Sequence, residues 1–107
     1  MGIAVTRGTA DSIIERIITA LRRYLEDHPE AEIGLYRQNS VSVRVRIIDS
    51  AFQGITRAGR SELVWKYLDS LSEDDQSEIS SLILLTPAET EQSFANFEFN
   101  NPVPSGL

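Results

Sequence analysis

Four arginines in the middle of the chain are the side chains best suited to bind another molecule. Arg44 and Arg46 alternate with valines, and Arg57 and Arg60 follow a turn. Guanidinium groups pair with phosphates and carboxylates, so this set predicts an anion-binding surface for a protein partner or a nucleic acid. In the alternative interpretation, these arginines only solubilise an exposed sheet face or pair with the acidic C-terminal part of the chain.

Catalysis has little support among the other polar residues. The chain has no cysteine and one histidine, which excludes disulfides, thiolate nucleophiles and cysteine-ligated metals. His28 lies between Asp27 and Pro29, which indicates a residue at the end of a helix rather than a ligand. An acidic run could bind a hard cation but more simply opens a helix: Glu73, Asp74, Asp75 and Glu78. We therefore expect no enzyme, no metal site and no cofactor.

Three phenylalanines stand out near the C-terminus. Phe94, Phe97 and Phe99 lie in a stretch dominated by Asn, Pro, Ser, Gly and Glu, without a visible period. This composition is typical of a tail, which we place at residues 89–107 and expect to be partly disordered. The aromatic residues predict packing on the chain's own domain or in a dimer, or a short motif for a protein partner.

Length and composition indicate one small globular domain. The 107 residues suffice for a single core but not for two. The hydrophobic fraction of 41% and the charged fraction of 24% are typical of a soluble protein. No apolar run approaches the roughly 20 residues that span a bilayer, and the N-terminus lacks the pattern of a secretory signal. We therefore expect a cytoplasmic protein that does not contact a membrane.

The net charge of −6 is unevenly distributed along the chain. Residues 31–66 contain six basic and three acidic residues, whereas residues 67–107 contain eight acidic residues and no Lys or Arg. A uniformly acidic protein would repel nucleic acid. The basic centre leaves two interpretations open, which are local binding of an anion and pairing with the acidic end of the same chain.

The first element that positions these residues is a long amphipathic helix. Apolar residues recur at helical spacing over residues 9–27, which predicts one buried stripe. Thr9 or Asp11 can cap its start by accepting a hydrogen bond from the first turn. Residues 1–8 precede it without a clear pattern, and we expect them to be a disordered leader.

A hairpin follows the first helix. Residues 31–37 and 41–48 predict two strands, with turn-forming residues between them. The second strand alternates valine with polar residues, so its valines face the core. Arg44 and Arg46 then face the opposite side of the sheet.

The remaining elements complete a layer of helices and a last strand. Residues 58–71 predict a second helix, and a capping box at Ser72 begins a short third helix through about Ser80. The apolar run Leu82–Leu85 is too short for a helix and predicts a buried strand, which Thr86-Pro87 terminates. A crossover through two helices allows this strand to lie parallel to a neighbour.

Together these elements predict an α+β fold in the order α-β-β-α-α-β. It is a two-layer sandwich with a three-stranded mixed sheet and helices on one face. An ordered set of short motifs within it resembles the BolA family, whose fold is similar to that of type II KH domains. The motifs are Phe52-Gln-Gly54, Arg60, Val64-Trp65, Leu68, Ile79, Leu82–Leu85 and Thr86-Pro87. The resemblance places a BolA-like domain at residues 9–88.

The resemblance also indicates what this chain lacks. BolA proteins share a 2Fe–2S cluster with a monothiol glutaredoxin, through a histidine before the last strand and a His or Cys in the hairpin loop. Here Ser80 and residues 38–40 occupy those places, and Ala58-Gly59-Arg60 replaces the usual Arg-His-Arg. A serine hydroxyl is a poor iron ligand.

The sequence therefore predicts a non-catalytic BolA-like interaction or regulatory module without the iron–sulfur ligation of that family. Its expected partner is a protein, and the resemblance suggests a glutaredoxin. The alternative is a nucleic-acid-binding, KH-like domain that uses the basic sheet and loop surface. That surface would comprise Arg44, Arg46, Arg57 and Arg60.

Overall fold

The computed structural model describes residues 2–102, which form a four-stranded sheet with helices on both faces. The elements in chain order are β1 Gly2–Arg7, α1 Ser12–Asp27, β2 Glu32–Asn39, β3 Ser42–Ile48, α2 Arg57–Leu68, α3 Glu73–Ser77, β4 Ile79–Leu85 and α4 Phe94–Asn100. Two short 3-10 helices, Ser50–Phe52 and Pro87–Glu91, follow β3 and β4. The α+β class that the sequence predicts is confirmed.

The sheet consists of two β-α-β units joined by a hairpin. β1 pairs in parallel with β2, β2 pairs antiparallel with β3, and β3 pairs in parallel with β4. Parallel neighbours need a long crossover, which α1 provides in the first unit and α2 with α3 in the second. The predicted hairpin and the parallel last strand are both confirmed. The strand order β1-β2-β3-β4 leaves β1 and β4 as the two edges.

The prediction of a disordered leader at residues 1–8 is wrong for residues 2–7, which form β1. Ile3 and Val5 pack against the core from this strand, and each lies beside a core residue of β2. β1 also supplies backbone partners along a side of β2 that would otherwise lack them. The predicted three-stranded sheet is therefore corrected to four strands.

The C-terminal tail predicted at residues 89–107 contains α4, and its residues 103–107 lie outside the described part of the chain. α4 packs on the face of the sheet opposite to α1 and α2, so the prediction of helices on one face is corrected. At Gly34 of β2, an added Cβ would lie 3.0 Å from Cγ2 of Thr6, a tight contact with β1, and 3.7 Å from Cε1 of Phe99, an ordinary contact with α4.

Side-chain caps set where the helices begin. α1 begins later than predicted, at Ser12, because the Asp11 carboxylate accepts a hydrogen bond from the N–H of Ile14 at 2.9 Å. α3 begins after Ser72, as predicted. α2 ends earlier than predicted, at Leu68.

The core lies between the sheet and the helix pair α1 and α2. Val43, Val45 and Ile47 are fully buried on this side of β3, whereas the arginines between them face α4. This is the alternation that the sequence predicts. Both helices and β2 supply further fully buried members: Ile14, Ile17, Leu21, Leu35, Val64 and Leu68.

A buried carboxylate links the end of α1 to the loop after β3. Oδ2 of Asp49 accepts a hydrogen bond from the Tyr24 hydroxyl at 2.6 Å and lies 3.2 Å from Nδ1 of His28. Its Oδ1 accepts the N–H of Ala51 at 2.9 Å. Burial, together with the Asp49 carboxylate, raises the pKa of Tyr24. His28 is confirmed as the helix-end residue, stacked on Tyr24 with 4.2 Å between ring centres.

Tyr24→Phe is expected to lower the free energy of unfolding by about 1–3 kcal/mol, because a buried carboxylate then loses a hydrogen-bond donor. Tyr67→Phe is the matched control, since the Tyr67 hydroxyl donates to Asp27 at the surface. That change is expected to cost less than about 1 kcal/mol. Urea unfolding followed by circular dichroism measures both variants. Equal losses would contradict a special role for the buried pair.

Candidate functional site

Within residues 2–102, β4 is an edge strand with few of the features that usually protect an edge. Its residues, Ile79–Leu85, include no charge and no proline, and its register shift against β3 lies at the N-terminal end. Natural edge strands are usually protected by charges, prolines or bulges. The other edge, β1, has a register shift after Val5 and ends in Arg7. β4 is therefore the edge better suited to accept another strand.

A groove runs along the free side of β4. Its walls are Arg57 and Ser61 of α2 on one side and Ser93 and Ala95 at the start of α4 on the other, and its volume is ≈ 270 Å³. A wider cavity of ≈ 460 Å³ shares part of this lining and includes Phe94. The apolar side chains of β4 along the groove are only partly buried: Leu82, Ile83, Leu84 and Leu85.

The hydrogen bonds at the end of β4 indicate which backbone groups face the groove. The N–H of Asp49 donates to the carbonyl of Leu85 at 2.9 Å, so Leu85 directs this group toward β3. Alternate residues of a parallel strand face the same neighbour, so the backbone groups of Leu82 and Leu84 point away from β3. Nη1 of Arg60 already donates to the carbonyl of Leu84 at 2.9 Å. An added strand therefore has room as far as Leu84.

Arg60 is held inside the fold at this point. It is 7% exposed, and its guanidinium donates to both carboxylate oxygens of Glu89 at 2.7 and 3.0 Å. Its Nε donates to the carbonyl of Ile55 at 2.9 Å. The hydrogen bonds from the Arg60 guanidinium, together with one from the N–H of Thr86, lower the pKa of Glu89 to about 2. Arg60 thus ties α2 to β4 and to the 3-10 helix that follows β4.

Arg46 lies under α4 on the outer face of the sheet. Its Nη1 donates to Oδ1 of Asn96 at 3.0 Å and to Oδ1 of Asn100 at 2.7 Å. Its Cζ lies 4.6 Å from the centre of the Phe99 ring. Its Nε is buried and has no hydrogen-bond partner in the described part of the chain. Burial lowers the pKa of Arg46.

Arg44 lies on the same outer face. Its Nε donates to Oε1 of Gln38 at 3.0 Å, and its Nη1 donates to the hydroxyl of Tyr36 at 3.3 Å. Its Nη2 lies 3.6 Å from Oε1 of Glu98 in α4. The Tyr36 hydroxyl in turn donates to the carbonyl of Phe99 at 3.0 Å. α4 therefore engages both arginines of β3.

The structure divides the four arginines that the sequence selects between two surfaces. Arg44 and Arg46 lie together beneath α4, whereas Arg57 and Arg60 lie at the β4 groove. Arg57 is exposed and Arg60 is buried. The sequence could not reveal this division, because decisive partners of Arg46 and Arg60 lie far along the chain: Asn96, Asn100 and Glu89. The groove itself was missed, although the uncharged run of β4 is a readable signal for an open edge.

The three phenylalanines of the tail have different surroundings. Phe99 is 1% exposed and packs on Tyr36, with 4.8 Å between ring centres. Phe94 and Phe97 are 77% and 63% exposed. Packing on the chain's own domain is therefore found for Phe99. For the two exposed rings, a dimer contact or a partner motif stays a prediction.

Ser80 and Gly59 occupy the two positions at which BolA proteins carry histidines, and both are small residues. Ser80 is exposed, and its hydroxyl donates to the carbonyl of Val43 at 3.4 Å. Gly59 lies in the first turn of α2, where its N–H donates to the Thr56 hydroxyl at 3.1 Å. Among residues 2–102, no group of three or more His, Cys, Asp or Glu is placed to hold a metal ion. No helix of that range is long and apolar enough to cross a membrane.

Comparisons with protein-family models, curated proteins and solved structures gave no match to this chain. The resemblance to BolA proteins therefore stays a prediction from short motifs. The β4 groove and the face beneath α4 are two surfaces of this fold with features that suit binding.

Glu89→Gln is expected to flatten the loss of stability in acid. The pKa of Glu89 is about 2 in the folded chain, below its ordinary value of 4.5, so its pair with Arg60 stabilises the fold above pH 4.5 and is lost as the pH falls toward 2. The variant lacks this titration. Its free energy of unfolding should therefore start lower at neutral pH and change less across that range.

Chemical denaturation at a series of pH values measures this effect. Glu91→Gln is the matched control, because Glu91 is an exposed neighbour outside the pair with Arg60. The control should keep the acid dependence of the wild-type chain. A Glu89→Gln variant with that same dependence would show that the ion pair does not stabilise the fold.

Proposed function

We propose that this chain is a non-catalytic protein-interaction module that binds an extended segment of a partner protein along the β4 edge. The observation that carries the proposal is an uncharged, partly exposed edge strand at the bottom of a groove. An added strand obtains affinity from backbone hydrogen bonds and specificity from side-chain contacts. β4 can supply the backbone hydrogen bonds, because the backbone groups of Leu82 point away from β3. The groove walls formed by α2 and the start of α4 can supply the side-chain contacts.

An extended segment matches this groove better than a helix or a flat surface does. The floor is one strand, and the walls come from α2 on one side and from the start of α4 on the other. Successive residues of a strand point to opposite faces of the sheet. A partner strand beside β4 would therefore place alternate side chains against the α2 wall and against the α4 wall.

The resemblance to BolA proteins supports the same class of function. On that basis we propose a cytoplasmic regulatory module, with a glutaredoxin as the partner that the resemblance suggests. We further propose that it does not ligate an iron–sulfur cluster. Ser80 and Gly59 offer no imidazole or thiolate, which are the side chains that iron prefers over a hydroxyl.

Ile83→Lys is expected to weaken the binding of partner peptides about tenfold, because a charge on an edge strand opposes strand addition. The probes are peptides of about 12 residues, selected from a random display library on the wild-type chain and long enough to span a strand. Fluorescence anisotropy gives their Kd. Thr19→Lys, which places the same charge on the exposed surface of α1, is the matched control and should leave the Kd unchanged.

Equal binding of the selected peptides to Ile83→Lys would contradict the β4 edge as the docking site. A wild-type chain that sediments as a dimer, and as a monomer after Ile83→Lys, would instead identify a second copy as the occupant. Thermal melts of both lysine variants confirm that the comparison is made between folded chains.

Nucleic-acid binding is the second candidate, and the face beneath α4 favours it. Arg44, Arg46 and Tyr36 lie together there, and the Phe99 ring packs on two of them. Proteins that bind single-stranded nucleic acids stack bases on aromatic rings and pair phosphates with arginines. The tyrosine and the arginines of this face could make the same two kinds of contact. α4 occupies this surface, so binding of a nucleotide would require α4 to move away.

The double variant Glu98→Ala and Asn100→Ala removes contacts of α4 while keeping the sheet face intact. If this face binds nucleic acid, the variant should bind a labelled single-stranded oligonucleotide more tightly than the wild-type chain, with strong dependence on salt. Adding Arg44→Gln and Arg46→Gln should abolish the gain. Anisotropy at low and high salt measures all three chains. No binding by the double variant at low salt would eliminate this candidate.

A further inference from the structure

We infer that the partner segment carries a carboxylate that pairs with Arg57 and an apolar side chain that packs on Phe94, at the point where the segment leaves β4. This inference rests on the proposed strand addition and names the chemistry of the partner at one end of the groove. Three features of that end carry it: a blocked backbone group, an uncompensated cation and an exposed aromatic ring.

The blocked backbone group determines where a partner must leave the edge. The Arg60 guanidinium stands in front of the carbonyl of Leu84, with Nη1 at 2.9 Å from the oxygen. Both oxygens of Glu89 hold this guanidinium, so displacing it would break a bidentate ion pair. An added strand therefore pairs with Leu82 and turns away at Leu84, beside Arg57, which lines both parts of the groove.

Arg57 is the uncompensated charge at this end. The charges of Arg60 and Glu89 cancel, whereas Arg57 makes no hydrogen bond or ion pair within residues 2–102. The first turn of α2 contains no acidic residue to offset it. A partner carboxylate complements this cation, and a partner lysine or arginine is repelled by it.

Phe94 gives the same end an apolar contact. Its side chain is 77% exposed and lines the wider cavity together with Ile55 and Leu84. Aromatic residues that become buried at interfaces often carry much of the binding energy. An apolar partner side chain next to the carboxylate would remove this ring from water.

A peptide with one carboxylate fits this end better than a polyanion does. Residues 67–107, which include β4 and the α4 wall, carry eight acidic residues and no Lys or Arg. That charge repels an extended phosphate backbone. A single carboxylate can approach Arg57 so closely that the attraction of this cation outweighs the repulsion by more distant acidic residues, which salt screens.

Reversal of the charge at Arg57 tests the inference against a matched control. Random peptides are selected separately on the wild-type chain, on Arg57→Glu and on Arg22→Glu, which reverses an exposed arginine of α1. Peptides selected on the wild-type chain and on Arg22→Glu should both carry an Asp or Glu at a fixed distance from a stretch in which every second residue is apolar. The Arg57→Glu selection should carry Lys or Arg there. Wild-type peptides should bind Arg57→Glu about fivefold more weakly, the upper range for an exposed ion pair.

Phe94→Ala tests the apolar contact in the same assay. It should weaken the selected peptides about fivefold. Phe97→Ala, which removes the other exposed ring of α4, should leave the Kd unchanged. Equal effects of the two changes would overturn the contact with Phe94.

Peptides without an acidic preference, or with the same preference on Arg57→Glu, would overturn the inference and leave strand addition intact. Failure to select any peptide, or equal binding to Ile83→Lys, would overturn the proposed function and the inference together. Thermal melts and amide NMR spectra of each variant separate a loss of binding from a loss of fold.

Discussion

The guanidinium of Arg60 is the contact on which the open end of the sheet depends. It binds the carbonyl of Leu84 in β4, the carbonyl of Ile55 before α2 and the carboxylate of Glu89 after β4. A buried charge is tolerated only when opposite charge and hydrogen bonds compensate it. Segments that are separate in the chain therefore hold one another in place, and the same side chain determines where the open edge ends.

The two sides of β3 show how one alternating pattern serves two different layers. Its valines fill the core against α1 and α2, whereas its arginines form a polar layer against α4. Helices as short as α4 are not stable alone in water. Its position therefore depends on tertiary contacts, chiefly the buried Phe99 and the hydrogen bonds to Arg46.

The sequence could predict the elements whose signal is local. The alternation in β3 and the apolar run at Leu82–Leu85 were sufficient for two strands, and the crossover through two helices for a parallel last strand. In β1 only Ile3 and Val5 mark the alternation, and α4 depends on residues of β2 and β3 that lie far along the chain. The same limit applies to the arginines. Their type is visible in the sequence, but the buried Arg60 differs from the exposed Arg57 through its partners, among them the distant Leu84 and Glu89.

The unequal edges of the sheet limit how far it can grow. β4 is uncharged and regular from Ser81 onward, whereas β1 carries a register shift and ends in Arg7. A second copy that joined through β4 would use the open edge of both molecules and leave two protected edges outside. An assembly of this kind would close at two chains, so pairing of copies through β4 would not nucleate a fibre.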